Sequence, residues 1–460
     1  MLKHYSRLTT IIVVAADIML LQLCFFLTYL LYYKRINGVD SPERLLFCYS
    51  FITFYFICAR RRGLLKILNF LEIPAIRKKT LSACLTAGFF SASFVYFVKI
   101  SHFSRIFFTC FVLSSSVVLI IQNVFFKFLL KKSRERGYSF SNVLLICPEP
   151  REDDIFKTIK SKQEWGMRVI GEFHYLYATE NELRTFLLNE AIDQVYVELS
   201  DDRSLSEKEN LKNLIRICES MGKTIRFFIG HDFINQAELT DYEKLYGLHT
   251  FVKEPITINP GFIFWKRLMD IAGGLTGIII TLIIIPPIWL LMQIFDRGPL
   301  FYSQSRVGWN GRTFKIFKFR TMIVNAEKMQ MELEKDNEMN GALFKIRNDP
   351  RVTGVGKFLR RFSIDEFPQF FNVLKGDMSL VGTRPPTPDE VRKYQDWHLQ
   401  RIMLKPGLTG LWQTSGRSEI QDFDTIVKLD LKYIKNWSLW SDIRIIIKTV
   451  TQLFYGKGAY

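Results

Sequence analysis

The apolar positions of this chain fall into two regimes. Up to about residue 130 they come in long runs, at residues 11–33, 45–58, 81–98 and 106–130. The first and fourth runs reach the roughly 20 residues needed to cross a hydrocarbon core; the second and third are shorter or more polar. From Ser141 onward the pattern shortens. Val143-Leu144-Leu145-Ile146-Cys147 reads as a buried strand, and residues 168–173, 194–199 and 224–229 read as three more. Residues 180–190 and 206–221 carry helical periodicity. This alternation predicts a parallel, doubly wound sheet. A last long apolar run covers residues 271–294, with Gly273, Gly274, Gly277 and the pair Pro286-Pro287 inside it.

Charge turns the runs into a topology. The net charge is +17, yet a nucleic-acid partner is not expected, because the cations flank apolar runs. Lys3 and Arg7 precede the first run, Arg60, Arg61, Arg62, Lys66, Arg77, Lys78 and Lys79 lie between the second and third, and Lys131, Lys132, Arg134 and Arg136 follow the fourth. Four spans with the amino terminus inside put all three groups on the cytoplasmic face. Lys34, Arg35 and Arg44, in the first outer loop, are an exception. The first run is too long for a cleaved signal peptide. Asp17 within it reads as a polar pathway, as a residue near the helix end, or as one paired inside the bundle. The run at 271–294 has Lys266-Arg267 before it and Arg297, Arg306, Arg312, Lys315, Lys318 and Arg320 after it. Both ends then belong on one side, and Pro286-Pro287 predicts a break. A helix that enters one leaflet and returns fits; so does a kinked fifth span.

Other chemistries are thinned by composition. The seven cysteines contain no CxxC pair and none lies in the C-terminal part, so neither a disulfide framework nor a zinc ribbon is expected. His398 is the only C-terminal histidine, a poor basis for a hydrolase triad or a histidine metal site. The turn after the first strand, Cys147-Pro148-Glu149-Pro150-Arg151-Glu152, lacks the glycines of a dinucleotide loop and carries two acids that would repel a pyrophosphate. The middle domain therefore reads as structural, regulatory or oligomerising; it offers a surface for a homodimer, and the oligomeric state stays open.

The candidate chemistry is C-terminal. Lys315, Lys318 and Arg320 alternate with apolar residues, either as the solvated face of an edge strand or as cations that meet phosphates. Ser363-Ile364-Asp365-Glu366 fits the capping box that opens a helix, with Ser363 as cap and Glu366 reaching back. A helix amino end also favours anions, Arg360 and Arg361 stand just upstream, and paired carboxylates can hold magnesium together with substrate phosphates. Gly382-Thr383-Arg384-Pro385 presents one guanidinium on a loop, either solvated or aimed at phosphate.

These segments resemble a known family. Lys266-Arg267-Leu268-Met269-Asp270, Lys318-Phe319-Arg320-Thr321-Met322, Ser363-Ile364-Asp365-Glu366-Phe367-Pro368-Gln369, Lys375-Gly376-Asp377-Met378-Ser379-Leu380-Val381-Gly382, Lys405-Pro406-Gly407-Leu408-Thr409-Gly410-Leu411-Trp412-Gln413 and Asn436-Trp437-Ser438 occur in the order of the bacterial sugar transferases, the monotopic phosphoglycosyl transferases. The preceding regions resemble the long form by architecture. The resemblance implies a mixed membrane protein: a four-helix transmembrane bundle over residues 1–137, a Rossmann-like α/β domain over 138–255, and an α-helix-rich monotopic catalytic domain over 256–460 with a re-entrant membrane helix at about 267–294. It implies an enzyme at the cytoplasmic face of the bacterial inner membrane. That enzyme moves a hexose-1-phosphate from a UDP-sugar, glucose first and galactose next, to undecaprenyl phosphate. The step would begin exopolysaccharide, capsule or O-antigen synthesis. Asp365 corresponds to the family nucleophile and Glu366 to its Mg2+ partner. Lys318, Arg320, Arg360 and Arg384 fall at phosphate or substrate positions. Two departures stand out. Ile285-Pro286-Pro287 replaces a Ser-Pro break, and Thr383 replaces the first proline of Gly-Pro-Arg-Pro. A non-catalytic membrane organiser of polysaccharide assembly and a one-step transferase for an N-acetylated sugar are the alternatives.

Overall fold

A computed structural model describes residues 2–33, 42–64, 73–98, 104–135, 140–147, 167–175, 177–199, 205–229, 243–245, 248–255, 260–326, parts of 329–346, 349–416, 420 and 422–455. The acid-bearing turn after the first strand, and Lys34, Arg35, Lys66 and Arg136, lie outside the described residues. The chain divides into two compact units, one built on the N-terminal helices and one on the middle sheet and the C-terminal region.

The first unit holds helices α1 (Leu2–Tyr33), α2 (Pro42–Arg61), α3 (Ile73–Phe97) and α4 (Arg105–Glu135). Stretches of α1, α3 and α4 are long and apolar enough to cross a membrane; α2 is too polar to qualify on the same footing but packs in the same bundle. Aromatic rings fill the core, with Phe111 edge-on to Phe25, Phe47 and Phe51 at 5.7, 5.5 and 5.0 Å between centroids. Ala83, Cys84 and Ala87, all fully buried, keep the inner face of α3 narrow. Asp17 is fully buried and accepts a hydrogen bond from the Tyr55 hydroxyl at 3.2 Å. This is the paired-inside-the-bundle reading of that acid.

The second unit begins with β1 (Ser141–Cys147), β2 (Met167–His174), α5 (Glu180–Asn189), β3 (Gln194–Leu199), α6 (Leu205–Ser220) and β4 (Thr224–Ile229), matching the expected strands and helices. The sheet is mixed rather than wholly parallel. Its order is β2-β1-β3-β4-β6-β5, and β5 (Glu243–Leu245) and β6 (Leu248–Lys253) join antiparallel at the β4 edge. They were missed because neither carries a long apolar run.

Helix α7 (Pro260–Phe295) follows and runs unbroken through Pro286 and Pro287. Each proline removes one backbone donor, but the expected interruption of the helix does not occur. Beyond α7, the elements that build the site region include the hairpin β7 (Phe301–Val307) and β8 (Thr313–Phe319), α8 (Gly354–Arg361), a 3-10 helix (Ile364–Gln369), α9 (Phe370–Lys375), the parallel pair β9 (Ser379–Val381) and β10 (Gly407–Thr409), α10 (Phe423–Lys435) and α11 (Leu439–Tyr455), with shorter helical turns between them.

Three devices fix this assembly. First, the glycines of α7 form a docking stripe. Phe370, Leu374 and Leu380 lie over Gly277, Gly274 and Gly273, and a Cβ at Gly277 would stand 2.2 Å from the Phe370 ring. Second, the charged start of α7 grips the loops below it. Lys266 donates to Asp442 at 2.7 Å and to the Val381 carbonyl at 2.9 Å, Arg267 donates to the last carbonyls of α9, and Asp270 accepts from Ser379 Oγ and Leu380 N. Asp442 is fully buried and also accepts from Tyr433 and Trp437, which accounts for the Asn436-Trp437 motif. Third, Arg312 in the β7–β8 turn forms a two-pronged pair with Asp193 at 2.7 and 2.6 Å, tying the hairpin to the foot of β3.

Candidate active site

The 3-10 helix that carries Asp365 and Glu366 is not built as a capping box. Ser363 sits in the left-handed region (φ 52°) and makes no side-chain capping bond. A left-handed non-glycine residue is uncommon and costs about 1 kcal/mol or more, so the backbone is strained immediately before the acid pair. Glu366, instead of reaching back to Ser363, accepts a 2.8 Å ion pair from Lys318 Nζ on β8. The S-x-x-E pattern is satisfied in letters and not in geometry.

Lys318 meets Glu366 because the two segments are clamped together. Asn372, fully buried on α9, donates to the Lys315 carbonyl at 2.8 Å and accepts from Phe317 N at 3.3 Å. Below them Ile364 and Phe367 pack against a small core of Phe319, Leu359, Ile288 and Met292. Thr281 of α7 donates to the Phe367 carbonyl at 3.3 Å. The acid pair is therefore held directly against the apolar helix.

Asp365 is buried, with 8% of its surface exposed. Arg360, at the end of α8, donates to Thr321 Oγ1 at 3.0 Å. Burial pushes its guanidinium pKa down, while Asp365 is the strongest of the carboxylates that push it back up, ahead of Asp349 and Glu366. Arg384 is partly exposed, 3.9 Å from Glu390 and 6.0 Å from the centre of the Trp412 ring. Its loop is fixed without the absent proline. Thr383 Oγ1 donates to the Arg401 carbonyl at 2.9 Å, Gly407 N donates to the Thr383 carbonyl, and Gly382 N donates to the Thr409 carbonyl.

Arg320 does not join this group. Strand β8 ends at Phe319, and the Arg320 guanidinium turns to the end of α7, donating to the Pro299 carbonyl at 2.8 Å and to both the side chain and the carbonyl of Asp296. It is buried and bonded to the loop that follows α7. Arg306, by contrast, is a cation that sequence reasoning counted only as a flank. It is largely enclosed and donates to the Pro385 carbonyl and Gln304. Its Nε is buried with no partner among the described residues. Burial and the neighbouring Arg384 push its pKa down to about 10, against the pull of Glu390 and Glu366. A lone cation in an alternating strand gives no sign of this in sequence.

The cluster thus sets four cations, Lys318, Arg306, Arg360 and Arg384, against three carboxylates, Asp365, Glu366 and Glu390. Such a surplus suits a diphosphate, which guanidinium groups bind with strong charge-assisted hydrogen bonds. The donor set also fits magnesium. Asp365 and Glu366 offer hard oxygen ligands, and magnesium commonly takes one or two carboxylates and completes its shell with substrate phosphates. His398 stands apart: its Nδ1 accepts from Gln395 N and its Nε2 faces Asp424 at 3.0 Å, with burial lowering its pKa. It is a structural residue held by these two contacts.

Residues 262–456 match the family described as bacterial sugar transferase, and residues 74–228 match one described as a CoA-binding domain. The chain is similar to the galactosyl transferase CpsE of Streptococcus agalactiae serotype III, with 38% identity over 80% of this chain and 85% of that protein. It is 45% identical to the undecaprenyl-phosphate galactose phosphotransferase of Salmonella typhimurium over 43% of this chain and 42% of that one. It is 31% identical to the UDP-glucose:undecaprenyl-phosphate glucose-1-phosphate transferase of Klebsiella pneumoniae over 71% and 70% of the two chains.

Proposed function

From the premise that the chain belongs to the bacterial sugar transferase family, we propose that it is a membrane enzyme transferring a hexose-1-phosphate from a UDP-sugar to undecaprenyl phosphate, with Asp365 as nucleophile. The observation that carries this reading is the buried Asp365 next to Arg360, with Lys318 paired to its neighbour Glu366 and Arg306 and Arg384 close to Glu366 and Glu390. A carboxylate oxygen of Asp365 attacks the sugar-bearing phosphorus, the bond from that phosphorus to the bridging oxygen breaks, and UMP leaves. An oxygen of undecaprenyl phosphate then attacks the same phosphorus and displaces Asp365, giving a lipid-linked diphosphate sugar. The surrounding cations take up charge on the transferring group and on UMP. Magnesium, held by Glu366 and diphosphate oxygens, would supply further charge neutralisation. With the ion held there, Glu366 would share its bond to Lys318, and that ammonium would be available to phosphate. Relatives named for both galactose and glucose make UDP-galactose and UDP-glucose the donors to test.

Several features support a helix α7 that dips into one leaflet and does not cross. Its first turns bind Asp442 and the α9 carbonyls, while its last turns pack on Leu359 and Phe319 and receive Arg320. Both ends are thus tied to the same unit. Most of its apolar length is exposed, presenting residues such as Leu275, Ile279, Ile283 and Leu290. Trp440, Ile447 and Val450 of α11 are exposed as well, an amphipathic surface suited to lipid. The site then lies at the depth of a lipid phosphate on the cytoplasmic face of the inner membrane, and the product enters exopolysaccharide synthesis.

The test is UMP release by the purified full chain with undecaprenyl phosphate and each UDP-sugar in turn. One UDP-hexose should support turnover, and Asp365→Asn should lower it by at least about three orders of magnitude. Turnover that survives this substitution would favour a different nucleophile. No turnover with any UDP-sugar would favour a non-catalytic organiser.

A further inference from the structure

At the carboxyl ends of β1 and β2, away from the acid pair, three side chains of different chemistry converge. Cys147 is the last residue of β1 and is buried; His174 is the last residue of β2, and Glu172 precedes it by two, both half-buried. Cys147 Sγ lies 3.3 Å from His174 Nδ1 and 3.7 Å from Glu172 Oε1, and the three atoms all fall within 4.8 Å of one another. The strands are locked side by side there, with Tyr175 N donating to the Cys147 carbonyl at 3.0 Å. Among the described residues no other group of three or more Cys, His, Asp or Glu side chains gathers in this way.

We propose that Cys147, Glu172 and His174 form a zinc site. Zinc binds thiolate sulfur at about 2.3 Å and imidazole nitrogen or carboxylate oxygen at about 2.0–2.1 Å; around a tetrahedral ion those lengths set sulfur-to-nitrogen and sulfur-to-oxygen separations of about 3.5 Å. The two observed separations bracket that value. The donor types select the metal: a thiolate with an imidazole favours zinc, whereas magnesium and calcium take oxygen ligands only. On binding, the Cys147 thiol proton passes to solvent and the thiolate sulfur, His174 Nδ1 and a Glu172 oxygen bond to the ion. Three protein donors leave one position for water. In open α/β sheets, ligands bind at the carboxyl ends of the strands beside the point where strand order reverses. In the order β2-β1-β3 that point adjoins β1. The site is independent of the transferase reading and of magnesium at Asp365.

The experiment uses the full chain in detergent, stripped with chelator and reloaded. Metal analysis should find one zinc per chain, and cobalt in its place should give a thiolate-to-cobalt charge-transfer band. Cys147→Ser should abolish that band, and His174→Ala should weaken zinc affinity at least about ten-fold. Peptide-resolved alkylation needs no variant and so survives any folding defect; zinc should slow modification of Cys147 in the wild-type chain. Absence of stoichiometric zinc, a band that persists in Cys147→Ser, or alkylation of Cys147 at the same rate with and without zinc would each overturn the assignment.

Discussion

The C-terminal region uses charge in two opposite ways. In its anchors, each cation is cancelled by a dedicated acid: Arg401 with Asp430 at 2.6 Å, Lys266 with Asp442 at 2.7 Å, Arg312 with Asp193 at 2.6 Å, Arg351 with Asp349 at 2.7 Å. In the cluster around Asp365, four cations outnumber three carboxylates and the backbone at Ser363 is strained. Balanced pairs hold a fold together; an unbalanced, strained group is poised for a ligand that brings charge of its own. The middle sheet shares in the first role, since Asp193 holds the hairpin that presents Lys318.

That contrast can be broken by substitution. The largest stability loss should come from Asp430→Asn. It strands the fully buried Arg401, and removing one partner of a buried pair costs about 3–5 kcal/mol. Denaturant melts of the purified protein should show the loss, while UMP release per folded molecule falls far less. Arg306→Ala should do the reverse, lowering kcat/KM by about 10²-fold with the melt nearly unchanged, as removal of a preorganised electrostatic donor does. Equal effects of the two variants on melting and on turnover would erase the distinction.

A third test concerns pH. Lys223, next to the Asp193–Arg312 pair, donates to the Ile192 carbonyl, and burial pushes its pKa down to about 8 against the pull of Asp193. Its folded pKa lies below its unfolded value of 10.5. The penalty of burying its charge is therefore fully present below pH 8 and is relieved as pH rises from 8 toward 10.5. The stability difference between wild type and Lys223→Met should shift in favour of wild type across that window by about 3 kcal/mol. A flat difference would mean that Lys223 stays charged or reaches water. The smallest effect should follow Ser363→Gly. Glycine accepts the left-handed backbone, so stability should rise by up to about 1 kcal/mol. A fall would show that the Ser363 side chain contributes more than its strain costs.

Much of this was legible in the chain. The strands at 143–147, 168–173, 194–199 and 224–229 announce themselves by buried apolar runs, and the Lys318, Arg360 and Arg384 cations were marked by their motifs. What escaped had physical causes. A positive φ at Ser363 leaves no trace in composition, so the capping-box pattern misled. Lys318 and Arg320 share one alternating pattern, but β8 ends between them and their side chains part company. Arg306 acquires its importance from Arg384 and Glu366, both far off in sequence. The glycines of α7 look like interruptions of a span until Phe370, Leu374 and Leu380 are laid on them.

The central claim, that Asp365 forms a covalent bond to the sugar-bearing phosphorus, is tested most directly by intact-mass analysis of the full chain incubated with its UDP-sugar before any lipid phosphate is added. The account predicts a mass increase of one hexose phosphate located on Asp365, absent from Asp365→Asn and discharged when undecaprenyl phosphate is supplied. A chain that turns over with both substrates yet never carries the adduct, and releases UMP only when the lipid is present, would contradict it.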